Sequence, residues 1–272
     1  MKNVKVGNIE IGKGCQLVFI AGPCVIESRE ICFEIAASVK VICDALQMPY
    51  IFKASFDKAN RTSIHSYRGP GLEKGLEILS DIKKEFNVPV CTDFHEPWQA
   101  KEIAEVVDLL QVPAFLCRQT DMIVSAAKTK KTVSIKKAQF LAPWDMKNVV
   151  EKFYESGGVE LMLAERGSTF GYNNLIVDMR SLAVMRGMGV PLVFDATHSA
   201  QLPGGIGNAT AGQREFVPVM VKGAAAIGMD ALFMEVHPEP EKGKSDATTM
   251  WKISELKSVL ETALRIDEIS RF

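Results

Sequence analysis

One eleven-residue segment holds the densest chemistry in this chain: Lys53-Ala-Ser-Phe-Asp-Lys58-Ala-Asn60-Arg61-Thr62-Ser63. It follows an apolar run, Tyr50-Ile51-Phe52, that reads as a short strand. Three cations, an amide and several hydroxyls at a strand end suit a phosphorylated or carboxylated metabolite, whose oxygens need charged donors. Such a run in isolation is more often a solvated basic face. Other strand ends in this chain also carry reactive groups, and together they favour the anion site.

Those strand ends follow from a repeated beat. Apolar runs occur at 17–21, 50–52, 88–92, 109–112, 133–135, 161–164, 192–194 and 232–236. Between them lie segments with apolar positions at three- and four-residue steps: 27–46, 71–86, 97–107, 120–128, 145–154, 175–188, 215–227 and 253–269. Eight strand–helix units in a chain of 272 residues predict an α/β fold, a (β/α)8 TIM barrel forming a single domain over 1–272. Residues 4–12 alternate around Gly7-Asn8 and predict a small β-hairpin within 1–14. The runner-up is an open doubly wound sheet. No Gly-x-Gly-x-x-Gly follows the first strand, which weakens its nucleotide-binding form. Gly204-Gly205-Ile206-Gly207 lacks that spacing and reads as a mobile loop, with closure of 203–215 over a substrate left open.

Barrel enzymes build their sites at the C-terminal ends of the strands. In order, those ends bring Cys24, Lys53, Asp93 with His95, Gln111 with Arg118 shortly after, Lys136, Arg166, Asp195 with His198, and Glu235 with His237. Any one of these is readily a helix cap. Eight on one rim are hard to explain that way. The cations Lys53, Lys58, Arg61, Arg118, Lys136 and Arg166 crowd one pocket unless anions fill it, which implies two polyanionic ligands or one large one.

A second group differs in character. Cys24, His198 and Glu235 end the first, seventh and eighth strands, which are neighbours in a closed barrel, and Asp246 follows in the next loop. A thiol, an imidazole and two carboxylates suit a divalent metal such as Zn, Fe or Mn. The spacing alone leaves Cys24 open as a small buried residue and His198 as a general base.

Composition narrows the partners. A net charge of −1 argues against nucleic acid, and no apolar run is long enough to span a membrane. Met1–Lys5 lacks a signal-peptide apolar region, and six cysteines without paired spacing suit a reducing, cytoplasmic setting.

The chain resembles the 3-deoxy-D-manno-octulosonate 8-phosphate synthase family essentially end to end. The resemblance is carried by 21–28 (Ala-Gly-Pro-Cys-Val-Ile-Glu-Ser), by 53–63 quoted above and by 113–121 (Pro-Ala-Phe-Leu-Cys-Arg-Gln-Thr-Asp). Three further motifs are 139–144 (Gln-Phe-Leu-Ala-Pro-Trp), Glu165-Arg166-Gly167 and 195–199 (Asp-Ala-Thr-His-Ser). The heptulosonate synthases of the shikimate pathway share the barrel but carry a Lys-Pro-Arg-type motif where this chain has Ala59-Asn60-Arg61.

The resemblance implies a phosphoenolpyruvate-dependent transferase. It would condense phosphoenolpyruvate with arabinose 5-phosphate, release phosphate and serve lipopolysaccharide biosynthesis as a cytoplasmic homotetramer. It assigns Lys53, Lys58, Lys136 and Arg166 to phosphoenolpyruvate. Asn60, Arg61, Thr62 and Ser63 are assigned to the pentose phosphate, with Arg118 reaching it from a neighbouring subunit. Many family members have serine where this chain has Thr62. The catalytic candidates are His198, Asp93 and Asn60. One class of the family holds a divalent metal through Cys, His, Glu and Asp, and the other replaces the Cys with Asn. Cys24, His198, Glu235 and Asp246 match the metal-dependent class. Two alternatives stand beside this expectation: a heptulosonate synthase using erythrose 4-phosphate, and a barrel retained as a non-catalytic metabolite- or metal-binding regulator.

Overall fold

The computed structural model describes residues 2–204 and 211–270; most of the glycine-rich segment read above as mobile lies outside them. β1 (Val4–Val6) and β2 (Ile9–Ile11) pair antiparallel across Gly7, whose φ of 59° a glycine adopts without strain. The chain then alternates: β3 (Val18–Gly22), α1 (Arg29–Ala45), β4 (Tyr50–Lys53), α2 (Leu72–Phe86), β5 (Val90–Asp93), α3 (Gln99–Val106), β6 (Leu109–Val112) and α4 (Thr120–Lys128). It continues through β7 (Thr132–Lys136), α5 (Met146–Glu155), β8 (Glu160–Glu165), β9 (Ser168–Thr169), β10 (Leu175–Ile176), α6 (Arg180–Arg186), β11 (Leu192–Asp195) and α7 (Ala196–Ser199). It ends with β12 (Gln201–Leu202), β13 (Ala211–Gly212), α8 (Val217–Ile227), β14 (Ala231–His237), β15 (Trp251–Lys252) and α9 (Ile253–Ser270).

Among the described residues, β3, β4, β5, β6, β7, β8, β11 and β14 form one parallel sheet. β14 pairs with both β11 and β3, so the sheet closes into the expected barrel with a helix after each strand. These strands are apolar on both faces because both are covered. Outward-facing residues join the helices in one large core, while Val18, Ile20, Ile51, Leu109, Val193 and Phe233 fill the barrel interior. Val4, Val6 and Ile11 of the hairpin belong to that inner core, so the hairpin plugs the N-terminal mouth. Among the described residues, the C-terminal mouth is the end of the barrel left open. No described helix is long and apolar enough to cross a membrane.

One expected helix is shorter than its periodicity. Leu175-Ile176 pair with Ser168-Thr169 as a hairpin instead of opening a helix at 175. Gly171 and Asn173 adopt positive φ (77° and 53°), which favours a turn. Asp178 then accepts the Arg180 N–H at 3.0 Å, and α6 begins there.

At the open mouth, β3 and β4 approach closely. A Cβ on Gly22 would lie 2.0 Å from the Lys53 carbonyl oxygen, so only glycine permits this contact. The pairing continues past both strands through a bridge between Val25 and Ser55. Cys24 and the Lys53–Ser55 segment are thereby held side by side.

Candidate active site

The C-terminal mouth holds a cavity of about 600 Å³, with Lys53, Lys58, Asp93, Lys136, Arg166 and His198 on its wall. The pleat explains why Lys136 faces inward and its neighbour does not. Lys137 is buried in the wall, where its Nζ donates to Gly167 O at 3.1 Å and Ser168 Oγ at 3.0 Å, 3.4 Å from Glu165.

The cations are more closely matched by carboxylates than the sequence implied. Lys53 Nζ donates to Ser55 Oγ at 2.8 Å and lies 3.4 Å from Asp93 Oδ1, to which Ser55 Oγ also donates. His95 Nε2 approaches the other Asp93 oxygen at 3.3 Å. Lys136 Nζ pairs with Asp195, and Lys58 Nζ lies 3.7 Å from Glu235 Oε1. Burial pulls Lys136 below the usual lysine value despite Asp195, and does the same to Arg166. Burial also works against the Lys58 cation, but Cys24, Glu235, Asp93 and Asp246 outweigh it and raise its pKa. The wall thus reads as an anion site beside an anionic cluster.

That cluster comprises Cys24, Glu235 and Asp246, whose ligand atoms all lie within 4.8 Å of one another. His198 Nε2 is 3.6 Å from Glu235 Oε1 and 3.6 Å from Asp246 Oδ2. Its Nδ1 faces Asp195 at 2.8 Å, so the ring is held with Nε2 toward the cluster. Asp195 also accepts the His198 backbone N–H at 3.0 Å, capping α7. Thr197 Oγ1 in the same turn accepts the Glu235 N–H at 3.0 Å and locks β14 to α7.

The residues fit a metal. Both Glu235 carboxylate oxygens are buried without a hydrogen-bond partner, an expensive arrangement unless a cation sits against them. Burial, followed by Asp246 and Glu235, raises the Cys24 thiol well above its ordinary value; a divalent ion would reverse that balance.

Asn60, Arg61 and Thr62 line the cavity, as does Ser66, which sequence reasoning did not select. Ser63 is absent from the wall, and its hydroxyl oxygen accepts the His65 N–H at 3.3 Å. Arg61 is tied to the loop after β14, donating to Ser245 Oγ and Lys244 O, both at 2.7 Å. Ser245 Oγ in turn lies 3.0 Å from Cys24 Sγ. Arg118 is not brought to this cavity; it is exposed and borders a separate hollow of about 310 Å³ with Asp145 and Lys152. Gln201 and Ser55 were also missed. Ser55 lies within the Lys53–Ser63 segment itself, whereas the one sequence signal for Gln201 is its place three residues beyond His198.

The ion pairs predict an acid response. Burial pushes Asp93 and Asp195 up, but Lys53 and His95 hold Asp93, and His198 and Lys136 hold Asp195, well below the carboxylate range. A carboxylate held low when folded stabilises fully above its unfolded pKa of about 4, and that stability is lost as pH falls further. The denaturation midpoint is therefore expected to drop on acidification below about pH 4. Asp93→Asn should flatten that dependence, and an unchanged slope would refute the assignment to Asp93.

Residues 2–270 match the DAHP synthetase I family. The chain is 58% identical over 269 residues to the 2-dehydro-3-deoxyphosphooctonate aldolase of Fusobacterium nucleatum, covering 99% of this chain and 97% of that one. It is 56% identical to the protein of the same name from Synechococcus, over 97% of this chain and 93% of the relative. The like-named protein of Trichlorobacter lovleyi is 52% identical over 99% of both chains.

Proposed function

The chain belongs to the DAHP synthetase I family, and on that premise we propose that it condenses phosphoenolpyruvate with D-arabinose 5-phosphate and water. The products are 3-deoxy-D-manno-octulosonate 8-phosphate and phosphate, in lipopolysaccharide biosynthesis. The observation that carries this reading is a cationic cavity wall that shares His198 and Asp246 with a cluster completed by buried Cys24 and Glu235. The names and identities of the relatives favour this substrate pair over erythrose 4-phosphate. A non-catalytic role is disfavoured because the reactive groups of the motifs are all retained.

In this reading Lys53, Lys58, Lys136 and Arg166 bind the phosphate and carboxylate of phosphoenolpyruvate. Asn60, Arg61 and Thr62 bind the pentose phosphate beside it. Holding two anions with their reacting carbons aligned lowers the barrier by roughly 7–11 kcal/mol. The C2=C3 π pair of the enol attacks the open-chain aldehyde from carbon three, forming the new C–C bond as the aldehyde π bond breaks and its oxygen takes up a proton. Positive character at carbon two takes up water, which gives up a proton. The hemiketal phosphate then loses phosphate by C–O cleavage, leaving the ketone. The cations oppose the repulsion between the two substrates, and Lys136 and Arg166 also stabilise the departing phosphate.

Cys24, His198, Glu235 and Asp246 are the residues that would hold a divalent metal. Such an ion supplies Lewis acidity and orientation toward the aldehyde. His198 reads as a ligand, because Asp195 occupies its Nδ1 and its Nε2 faces two carboxylates. Asp93, held ionised between Lys53 and His95, orients both groups at the cavity wall, with Asn60 positioning the aldehyde.

We also read Arg118 as serving a neighbouring subunit of a cytoplasmic homotetramer. Its exposure outside the cavity supports this, as do exposed Phe115, Phe140, Trp144 and Phe170 in the loops after β6, β7 and β8. Phosphate release by the purified protein, with phosphoenolpyruvate and each aldehyde in turn, tests the function. Arabinose 5-phosphate is expected to be strongly preferred. A preference for erythrose 4-phosphate would overturn the substrate assignment.

A further inference from the structure

We propose that Gln201 is a positioning residue that couples the phosphoenolpyruvate site to the metal site. This rests on the reading above, in which Arg166 holds phosphoenolpyruvate and Asp246 is a metal ligand. Gln201 is buried at the start of β12. Its amide oxygen accepts from Arg166 Nη2 at 2.7 Å, and its amide nitrogen donates to Asp246 Oδ2 at 2.8 Å. One side chain thus spans the cation of the first site and the anion of the second. The chemistry selects the residue type. A guanidinium requires an acceptor and a carboxylate requires a donor, and a primary amide offers both. A glutamate at 201 lacks the donor, and a lysine lacks the acceptor.

The surrounding backbone leaves this task to the side chain. Asp246 has a φ of 46°, a left-handed conformation that aspartate tolerates, and its carbonyl accepts the N–H groups of Thr249 and Met250. That turn fixes the Asp246 backbone, while Gln201 fixes one of its carboxylate oxygens. β12 is itself wedged in place. Gln201 pairs with Gly212 of β13, and a Cβ at 212 would lie 2.1 Å from Thr249 Cγ2. The β12–β13 ribbon therefore rests directly on the turn that carries Asp246.

An anion bound to Arg166 holds the guanidinium still, which keeps the Gln201 amide in the orientation that directs its nitrogen at Asp246. A cation bound by Asp246 favours the same orientation from the other side. Each ligand should then tighten the other by one common factor, as linkage requires.

The test is Zn²⁺ affinity, measured by competition with a chromophoric chelator, with and without phosphoenolpyruvate. In the wild type, phosphoenolpyruvate is expected to tighten Zn²⁺ by about five-fold or more. Gln201→Met should weaken Zn²⁺ by about 10–100-fold and reduce the effect of phosphoenolpyruvate to about two-fold or less. Gln201→Glu keeps the acceptor for Arg166 but sets an oxygen against Asp246. It should lose the coupling while its phosphoenolpyruvate KM stays nearer wild type than that of the Met variant. Circular dichroism and thermal melting identify variants that retain the fold. Wild-type Zn²⁺ affinity and coupling in both folded variants would overturn the role of Gln201 alone. A wild-type protein that binds no Zn²⁺ would overturn the metal reading and the coupling together.

Discussion

Replacing Lys136 with methionine is expected to lower phosphate release by about 10²–10³-fold, the scale of losing one preorganised charge at a reacting group. Lys136 is buried at the end of β7, pairs with Asp195, and sits 3.9 Å from the centre of the Phe233 ring. Methionine keeps an unbranched side chain one atom shorter and removes the ammonium together with its hydrogen bond to Asp195. The loss should reach both halves of the site, because Asp195 also orients His198. The phosphoenolpyruvate KM should therefore rise and kcat should fall. Lys136→Arg keeps the charge but presents a planar fork where the cavity holds a compact ammonium, so partial recovery is expected. Steady-state kinetics with phosphoenolpyruvate varied would decide. A methionine variant within a few-fold of wild type would contradict the role given to Lys136.

The second large effect is Glu235→Gln. The carboxylate lies fully buried on β14, with both oxygens lacking a hydrogen-bond partner and His198 and Lys58 nearby. His198, then Lys58, holds it ionised against burial, at a pKa of about 2, so at neutral pH it is an anion facing the cluster. The amide preserves the shape and abolishes that charge. Metal affinity should fall by more than about 100-fold, since even an outer partner of a metal ligand is worth 10–100-fold. Phosphate release should fall with it. Binding to the folded state raises thermal stability by mass action, so added divalent metal should raise the melting temperature of the wild type but not of the variant. A Gln variant that retains wild-type metal content would remove Glu235 from the ligand set.

The barrel was legible because its strands must be apolar on both faces, and runs such as Leu109–Val112 and Leu161–Ala164 stand out from the helical periodicity around them. Closure then did what spacing alone could not. It brings Cys24, just past the end of β3, beside Glu235 on the adjacent β14 although 210 positions separate them in sequence. What stayed hidden depends on side-chain reach. The carboxylate partners of Lys53 and Lys136 come from neighbouring or more distant strands, so the cationic surplus looked larger than it is. Gln201 carries no charge, and nothing in its local sequence shows that it meets both Arg166 and Asp246. Leu175-Ile176 has helical spacing, but the turn at Gly171 and Asn173 folds it back as a strand. Ser63 and Arg118 share the chemistry of their neighbours yet lie off the cavity wall, a matter of loop path rather than composition.

The central claim is that a cationic wall and a metal cluster act as one site. It is tested most directly by measuring metal content and phosphate release on the same protein, before and after chelation and after adding back a divalent ion. The expected result is about one metal per chain, loss of activity in step with loss of metal, and recovery on its return. Full activity in metal-free protein would contradict the account.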